Sequence, residues 1–322
     1  MTKKKLTYEL LKIDPSKESK RIEEWLKKSI FQDFKKKGAV IGLSGGIDSS
    51  VCAAICVDAL GKENVLGIFT PEIECENETN NLGRLLADHL EIEAIYEDIT
   101  PILDGAKCYS RRNDAIRMTI PQFMDNWRSK IVIPNALESR KFNVYSVVVQ
   151  DEKGFEIKKR MGLRSYLQVV AASNFKQRSR KMIEYYHAER KNYAVIGTPN
   201  KLEYDLGFFV KYGDGSADIK PIAHLYKTQV YQLGKYYEIP DTILQRNPTT
   251  DTYSLSQSQE EFYFSLPCNQ MDLALYSFEN NYSEKQLART LDIDIEVAVK
   301  IYHDIVKKKK IGNFLKMDPI TL

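Results

Sequence analysis

The chain has 322 residues, length for one large or two modest domains, and its 43% hydrophobic and 28% charged residues are those of a globular protein with a substantial core. A formal net charge of +3 is too small to argue for nucleic acid or an anionic membrane, and no apolar run approaches the roughly 20 residues of a membrane span. The Lys-rich start MTKKKLTYELLKIDPSKESK has no apolar signal core, and five scattered cysteines (Cys52, Cys56, Cys75, Cys108, Cys268) in no CxxC or Cys/His spacing argue for a reducing cytoplasm and against zinc or iron–sulfur.

The stretch 18–38 carries Ile22, Trp25, Leu26, Ile30 and Phe34 at helical spacing and stops at Gly38. AVIGL (39–43) reads as a buried strand. A Gly-Ser turn follows, then a helix from Asp48 to Leu60 on which Cys52 and Cys56 are core residues. NVLGIFT (64–70) is a second strand, 77–90 a helix, and IEAIYEDI (92–99) a third strand. This alternation is the pattern of a parallel sheet covered on both faces. The rhythm breaks between 107 and 172, where VYSVVVQ and FEIKKRM flank Asp151-Glu152-Lys153-Gly154 as a β-hairpin. A helix over 173–190, the strand YAVIG (193–197) and a helix over 227–237 follow. The polar stretch 247–265 lacks periodicity and reads as a mobile loop. From 268 the tail is helical, with Lys307–Lys310 as a solvated helix end.

The turn SGGIDSS (44–50) carries the chemistry. A loop leaving the carboxyl end of a parallel strand for a helix presents free N–H groups and the positive end of the helix dipole. Gly45 and Gly46 lack the Cβ atoms that would block a phosphate, and Ser44, Ser49 and Ser50 offer hydroxyls. Asp48 would repel a bare phosphate, so its place there makes sense with Mg²⁺ between them. The plainer alternative is a tight turn with Asp48 or Ser49 as N-cap.

SGGIDSS is similar to the pyrophosphate loop of the ATP pyrophosphatases, the PP-loop superfamily. NFKQRSR (174–180), GTPNKLE (197–203), KYGDGSAD (211–218) and PIAHLYKTQVYQLGKYYEIP (221–240) follow in the order seen in ammonia-dependent NAD synthetases, a family the chain closely resembles over about 38–100 and 170–250. The resemblance implies one α/β domain over 1–322. Its fold would be a Rossmann-like parallel sheet with helices on both faces (adenine nucleotide alpha hydrolase-like), interrupted by an insertion at 107–172 and closed by a helical tail at 268–322.

Site roles follow from the resemblance position by position. Ser44, Gly45, Gly46, Asp48 and Ser49 match the loop that grips pyrophosphate, with Asp48 and Glu203 as Mg²⁺ ligands. Arg178, Thr198, Lys227 and Thr249 match residues on the ATP side, and Asp251 lies with Thr249 in a closing loop. Asn174 and Lys211 match contacts to the acid substrate. Asp214 and Asp218 match the acidic pair at the ammonia site, so Asp48, Lys227, Asp214 and Asp218 are the implied catalytic residues.

The implied reaction is ATP-dependent adenylation of deamido-NAD followed by amidation with ammonia, giving NAD and AMP. Ammonia would come free or from a separate glutaminase, and the family forms homodimers. The alternatives are an amide ligase of the same build acting on another small carboxylate, and a tRNA-modifying ATP pyrophosphatase. The last would want a CxxC pair or an RNA-binding domain, neither of which is read here. Segment 107–172 and the closing loop depart from the family pattern near the substrate end.

Overall fold

Three strands of the expected parallel sheet, at 39–42, 65–69 and 194–196, are apolar throughout because they are covered on two sides, whereas the edge strand at 93–96 begins with the exposed Glu93. The protein was analysed as a computed structural model that describes residues 4–75, 77–133, 145–247, 252–264 and 266–321. In chain order the elements are α1 (Pro15–Lys28), β1 (Ala39–Gly42), α2 (Ile47–Leu60), β2 (Val65–Phe69), α3 (Asn77–His89), β3 (Glu93–Tyr96), α4 (Thr100–Gly105), α5 (Cys108–Arg117), β4 (Arg128–Val132), β5 (Ser146–Gln150), β6 (Glu156–Arg160), α6 (Leu163–Lys191), β7 (Ala194–Ile196), α7 (Lys201–Leu206), α8 (Lys227–Tyr236), α9 (Asp241–Leu244), α10 (Cys268–Glu279), α11 (Glu284–Leu291) and α12 (Ile295–Lys316).

The main sheet runs β3-β2-β1-β7, all parallel, with Ala39 opposite Val65 on one side and Ala194 on the other. Alternate side chains divide between two cores. Ala39, Ile41, Val65, Phe69, Ala194 and Ile196 join the apolar faces of α1, α2, α3 and α8. Val40, Leu66, Ile68 and Val195 pack beneath the C-terminal half of α6 around Ala188. Strand β1 neighbours β2 on one side and β7 on the other, so a crevice opens beyond their carboxyl ends, where open α/β sheets bind ligands.

The hairpin forms where expected, with Gly154 at φ +83 donating to the Asp151 carbonyl, but it gains a third antiparallel strand, β4, which the sequence pattern did not reveal. This small sheet packs Ile131, Val147 and Val149 against Ala115 and Ile116 of α5 and Val169 of α6.

Four expectations are corrected. Trp25 and Phe34 are nearly half exposed, and α1 closes through a π-turn at Ser29–Asp33, ahead of Gly38. Helix α6 starts at Leu163, inside the expected insertion. The described part of the supposed loop, 252–264, is packed: Tyr253, Leu255 and Phe264 are buried, Leu255 N–H donates to the Ser129 carbonyl at 3.2 Å, and Ser129 N–H donates to Ser254 Oγ at 2.9 Å. In the Lys307–Lys310 run, Lys308 is buried, pairs with Asp304 and donates to the Tyr263 carbonyl at 2.6 Å.

Candidate functional site

The turn after β1 passes through Gly45 at φ +65, a conformation that favours glycine, and Gly46 stands as the N-cap of α2. Gly46 has no side chain with which to cap the helix, so the first N–H groups of α2 face the crevice with the dipole behind them. Ser49 and Ser50 donate to the Gly46 carbonyl at 3.0 and 2.9 Å, and Ser44 Oγ lies 3.1 Å from Ser49 Oγ. These bonds fix the turn with the Ser44 hydroxyl at its outer edge.

Asp48 meets two other elements. Its Oδ2 accepts from the ammonium of Lys227, the first residue of α8, and its Oδ1 accepts from Asn200 Nδ2 at 3.1 Å. Asn200 also caps α7 in a reciprocal box. Its side chain accepts from Glu203 N–H at 3.3 Å, and its own N–H donates to Glu203 Oε2 at 3.0 Å. Glu203 Oε1 accepts from Gln259 Nε2 at 3.1 Å. Burial, with the charge of Asp48 behind it, pushes the Glu203 carboxyl up to about 8. For Lys227, burial works against the charged form, but Asp48 and Glu203 prevail and hold the ammonium above its ordinary range.

Asp272, on α10, fixes the root of Lys227. Its two oxygens accept from Lys227 N–H at 3.1 Å and Thr228 N–H at 2.7 Å, capping α8 from a distant helix. Burial raises its carboxyl to about 7 while those N–H bonds pull the other way.

Asp48, Glu203, Lys227 and Gln259 line a cavity of about 600 Å³, within the range of small-molecule sites. Of the expected residues, Ser44, Gly46, Asp48, Ser49, Thr198, Glu203 and Lys227 line it, and Asn174, Arg178, Lys211 and Asp214 also reach it. Lys211 is partly spoken for: its ammonium donates to the Met317 carbonyl at 2.9 Å. Asp214 accepts from Val210 N–H at 2.8 Å, and burial raises its carboxyl. Asp218 is not among the lining residues. Its Oδ2 accepts from Val195 N–H at 2.8 Å, bonding it to the edge of β7. Gly45 shapes the turn from behind, and Thr249 and Asp251 lie outside the described residues.

Asn200, Gln259 and Asp272 were not anticipated. Only Asn200 left a local signal, an Asn-x-x-Glu capping spacing within GTPNKLE. The other two act across 56 and 45 residues of chain. No group of three or more His, Cys, Asp or Glu suited to a metal occurs among the described residues. The Asp48–Glu203 pair supplies two carboxylates, the donor set with which Mg²⁺ is held when phosphate oxygens and water complete its shell.

Comparison with known proteins bears on the same residues. The family model for NAD synthase matches residues 18–129 and 111–311, the second match running through segment 107–172. The NH(3)-dependent NAD(+) synthetase of Rhizobium meliloti (strain 1021) is 51% identical over 309 residues, 96% of this chain and 92% of the relative. Among solved structures, the NMN synthetase from Francisella tularensis superposes with a TM-score of 0.68 at 23% identity, covering 97% of this chain and 99% of that one. The NH3-dependent NAD synthetase from Campylobacter jejuni does so at 0.62 and 24%, covering 96% and 100%. At that identity the structural likeness speaks to the fold.

Proposed function

The chain belongs to the NAD synthase family, and we propose that it is an ammonia-dependent NAD⁺ synthetase, an AMP-forming carbon–nitrogen ligase acting on deamido-NAD. The observation that carries this reading is the convergence of Asp48, Asn200, Glu203 and Lys227 beside an open glycine turn, in a chain 51% identical to an NH(3)-dependent NAD(+) synthetase along nearly its whole length.

In this reading a carboxylate oxygen of the substrate forms a bond to the α-phosphorus of ATP as the bond to the bridging oxygen of pyrophosphate breaks. The free N–H groups at the start of α2 and the Ser44 hydroxyl bind the departing pyrophosphate, and Lys227 and Arg178 balance charge on the phosphate oxygens. Asp48 and Glu203 would hold Mg²⁺, which supplies Lewis-acid neutralisation of the triphosphate. Ammonia then attacks the acyl carbon and AMP leaves. Asp214, a partly buried carboxylate on the cavity wall, is suited to bind ammonium and take its proton. Asp218 would join it only by releasing Val195 N–H. The rings of Tyr145, Tyr166, Tyr253 and Phe262 also wall the cavity, a surface suited to a substrate with flat rings.

A homodimer fits two exposed apolar pairs on α6, Leu163 with Leu167 and Met182 with Tyr186, each pair four residues apart and every member more than half exposed. No helix among the described residues is long and apolar enough to cross a membrane.

The test is an assay with ATP, Mg²⁺, ammonium and deamido-NAD. Equal amounts of NAD⁺, AMP and pyrophosphate are expected. AMP release with another acid, and no NAD⁺, would replace this substrate with a different carboxylate.

A further inference from the structure

A second charged cluster lies behind the cavity wall and belongs to none of the steps above. Lys176 sits in the same turn of α6 as Asn174 and Arg178, but it is 1% exposed and absent from the cavity lining. Its ammonium donates to Glu72 Oε1 at 2.9 Å, Glu74 Oε2 at 2.7 Å and the carbonyl of Thr252 at 2.9 Å. Arg112 bonds Glu74 at 2.5 Å, and Tyr109 O–H donates to Glu72 at 2.7 Å. Two cations thus face two carboxylates, so the cluster is neutral and its donors are used, as burial requires.

The cluster is a junction. Glu72 and Glu74 lie on the loop after β2, whose Thr70 and Pro71 line the cavity, and Tyr109 and Arg112 are on α5 of the insertion. Thr252 opens the packed segment 252–264. Further along, that segment is held from behind by β4, where Gln257 Nε2 donates to the Ile131 carbonyl and Lys130 to the Ser256 carbonyl at 3.3 Å. Its Gln259 then reaches Glu203.

We propose that Lys176 is a positioning residue for the site. By bonding the Thr252 carbonyl while Glu72 and Glu74 neutralise it, Lys176 fixes where segment 252–264 presents the Gln259 amide to Glu203. The insertion thereby serves as a brace for this segment. The effect on metal binding rests on the reading of Glu203 as a Mg²⁺ ligand; the effect on the segment does not.

Lys176→Met keeps the unbranched stem, one atom shorter, and removes the bonds of the ammonium. Hydrogen exchange within 252–264 should rise roughly tenfold, and the Mg²⁺ concentration giving half-maximal AMP release should rise with it. Arg112→Gln, which weakens the cluster without touching the Thr252 bond, should lower the melting temperature yet leave exchange in 252–264 within about twofold of the parent. Unchanged exchange in the Met variant overturns the proposal, as does an equal rise throughout β1 and β2. Faster exchange with an unchanged Mg²⁺ dependence overturns the positioning role alone and leaves the ligase reading to its own assay. Should the Met variant not fold, acetic anhydride labelling of the unaltered protein decides: Lys176 should react only as fast as 252–264 opens. A segment that exchanges while Lys176 stays unlabelled overturns the proposal.

Discussion

Lys227 is 1% exposed and its ammonium is held by Asp48, so replacing Asp48 by Ala does two things at once. It removes a carboxylate from the reaction and leaves a buried cation without its partner, which costs about 3–5 kcal/mol of stability. Asp48→Asn separates the two effects by retaining an oxygen for Lys227. AMP release should fall on the order of 10²–10³-fold in the Asn variant, with a much smaller drop in melting temperature than in the Ala variant. Asp272 gives a prediction in pH. Its carboxyl is raised by burial to about 7 in the folded chain, against an ordinary 3.8. Between those values the folded state keeps a proton that the unfolded state has lost. The Asp272 contribution is therefore fully present below pH 3.8 and declines as pH rises toward 7, by at most about 1.4 kcal/mol per unit. Asp272→Asn should remove that slope in unfolding measured across the window, at the expense of one of the two caps on α8. Asp48 was legible from the local chemistry of its turn, and Glu203 and Lys227 from the order of motifs in which the chain resembles a known family. Asp272 and Gln259 were not, because their partners are reached only after the chain has folded back.

Among the elements, α7 matters beyond its length because it carries Glu203. Its C-terminal Gly207 has φ +77 and lies against α12: a Cβ on Gly207 would come within 2.8 Å of Gly312 N, and one on Gly312 within 2.4 Å of the Asp205 carbonyl oxygen. The two helices approach by backbone, and α12 also lends Ile311 and Leu315 to the cavity. Gly312→Ala should force them apart at about 1–3 kcal/mol and raise the KM for ATP, readable by thermal unfolding and steady-state kinetics. Strands β1, β2 and β7 were readable as uninterrupted apolar runs because both faces are covered. The first third of α6 was missed for a physical reason. The helix serves the core of the small antiparallel sheet through Val169 and the main sheet through Ala188, so no single apolar stripe runs along all 29 residues. Segment 252–264 gave no period at all, since it is held largely by hydrogen bonds to β4.

For the whole molecule, the exposed apolar pairs of α6 make a direct prediction about assembly. Leu167→Glu places a charge in the first of them, so sedimentation should change from dimer to monomer, with NAD⁺ formation falling if the partner helps to hold the dinucleotide. A parent protein that sediments as a monomer would refute the dimer outright. The pairing of Asp48 with Lys227 has a different consequence, one of timing. Each of these two groups neutralises the other directly. A lone divalent cation arriving at Asp48 would meet an ammonium, and a lone triphosphate arriving at Lys227 would meet two carboxylates. Only a ligand bringing both signs of charge lets each side exchange one partner for another without a bare ion in between. Nucleotide and metal should therefore bind as a single complex: in calorimetry, neither ATP with chelator nor Mg²⁺ by itself should show the heat that the two produce together.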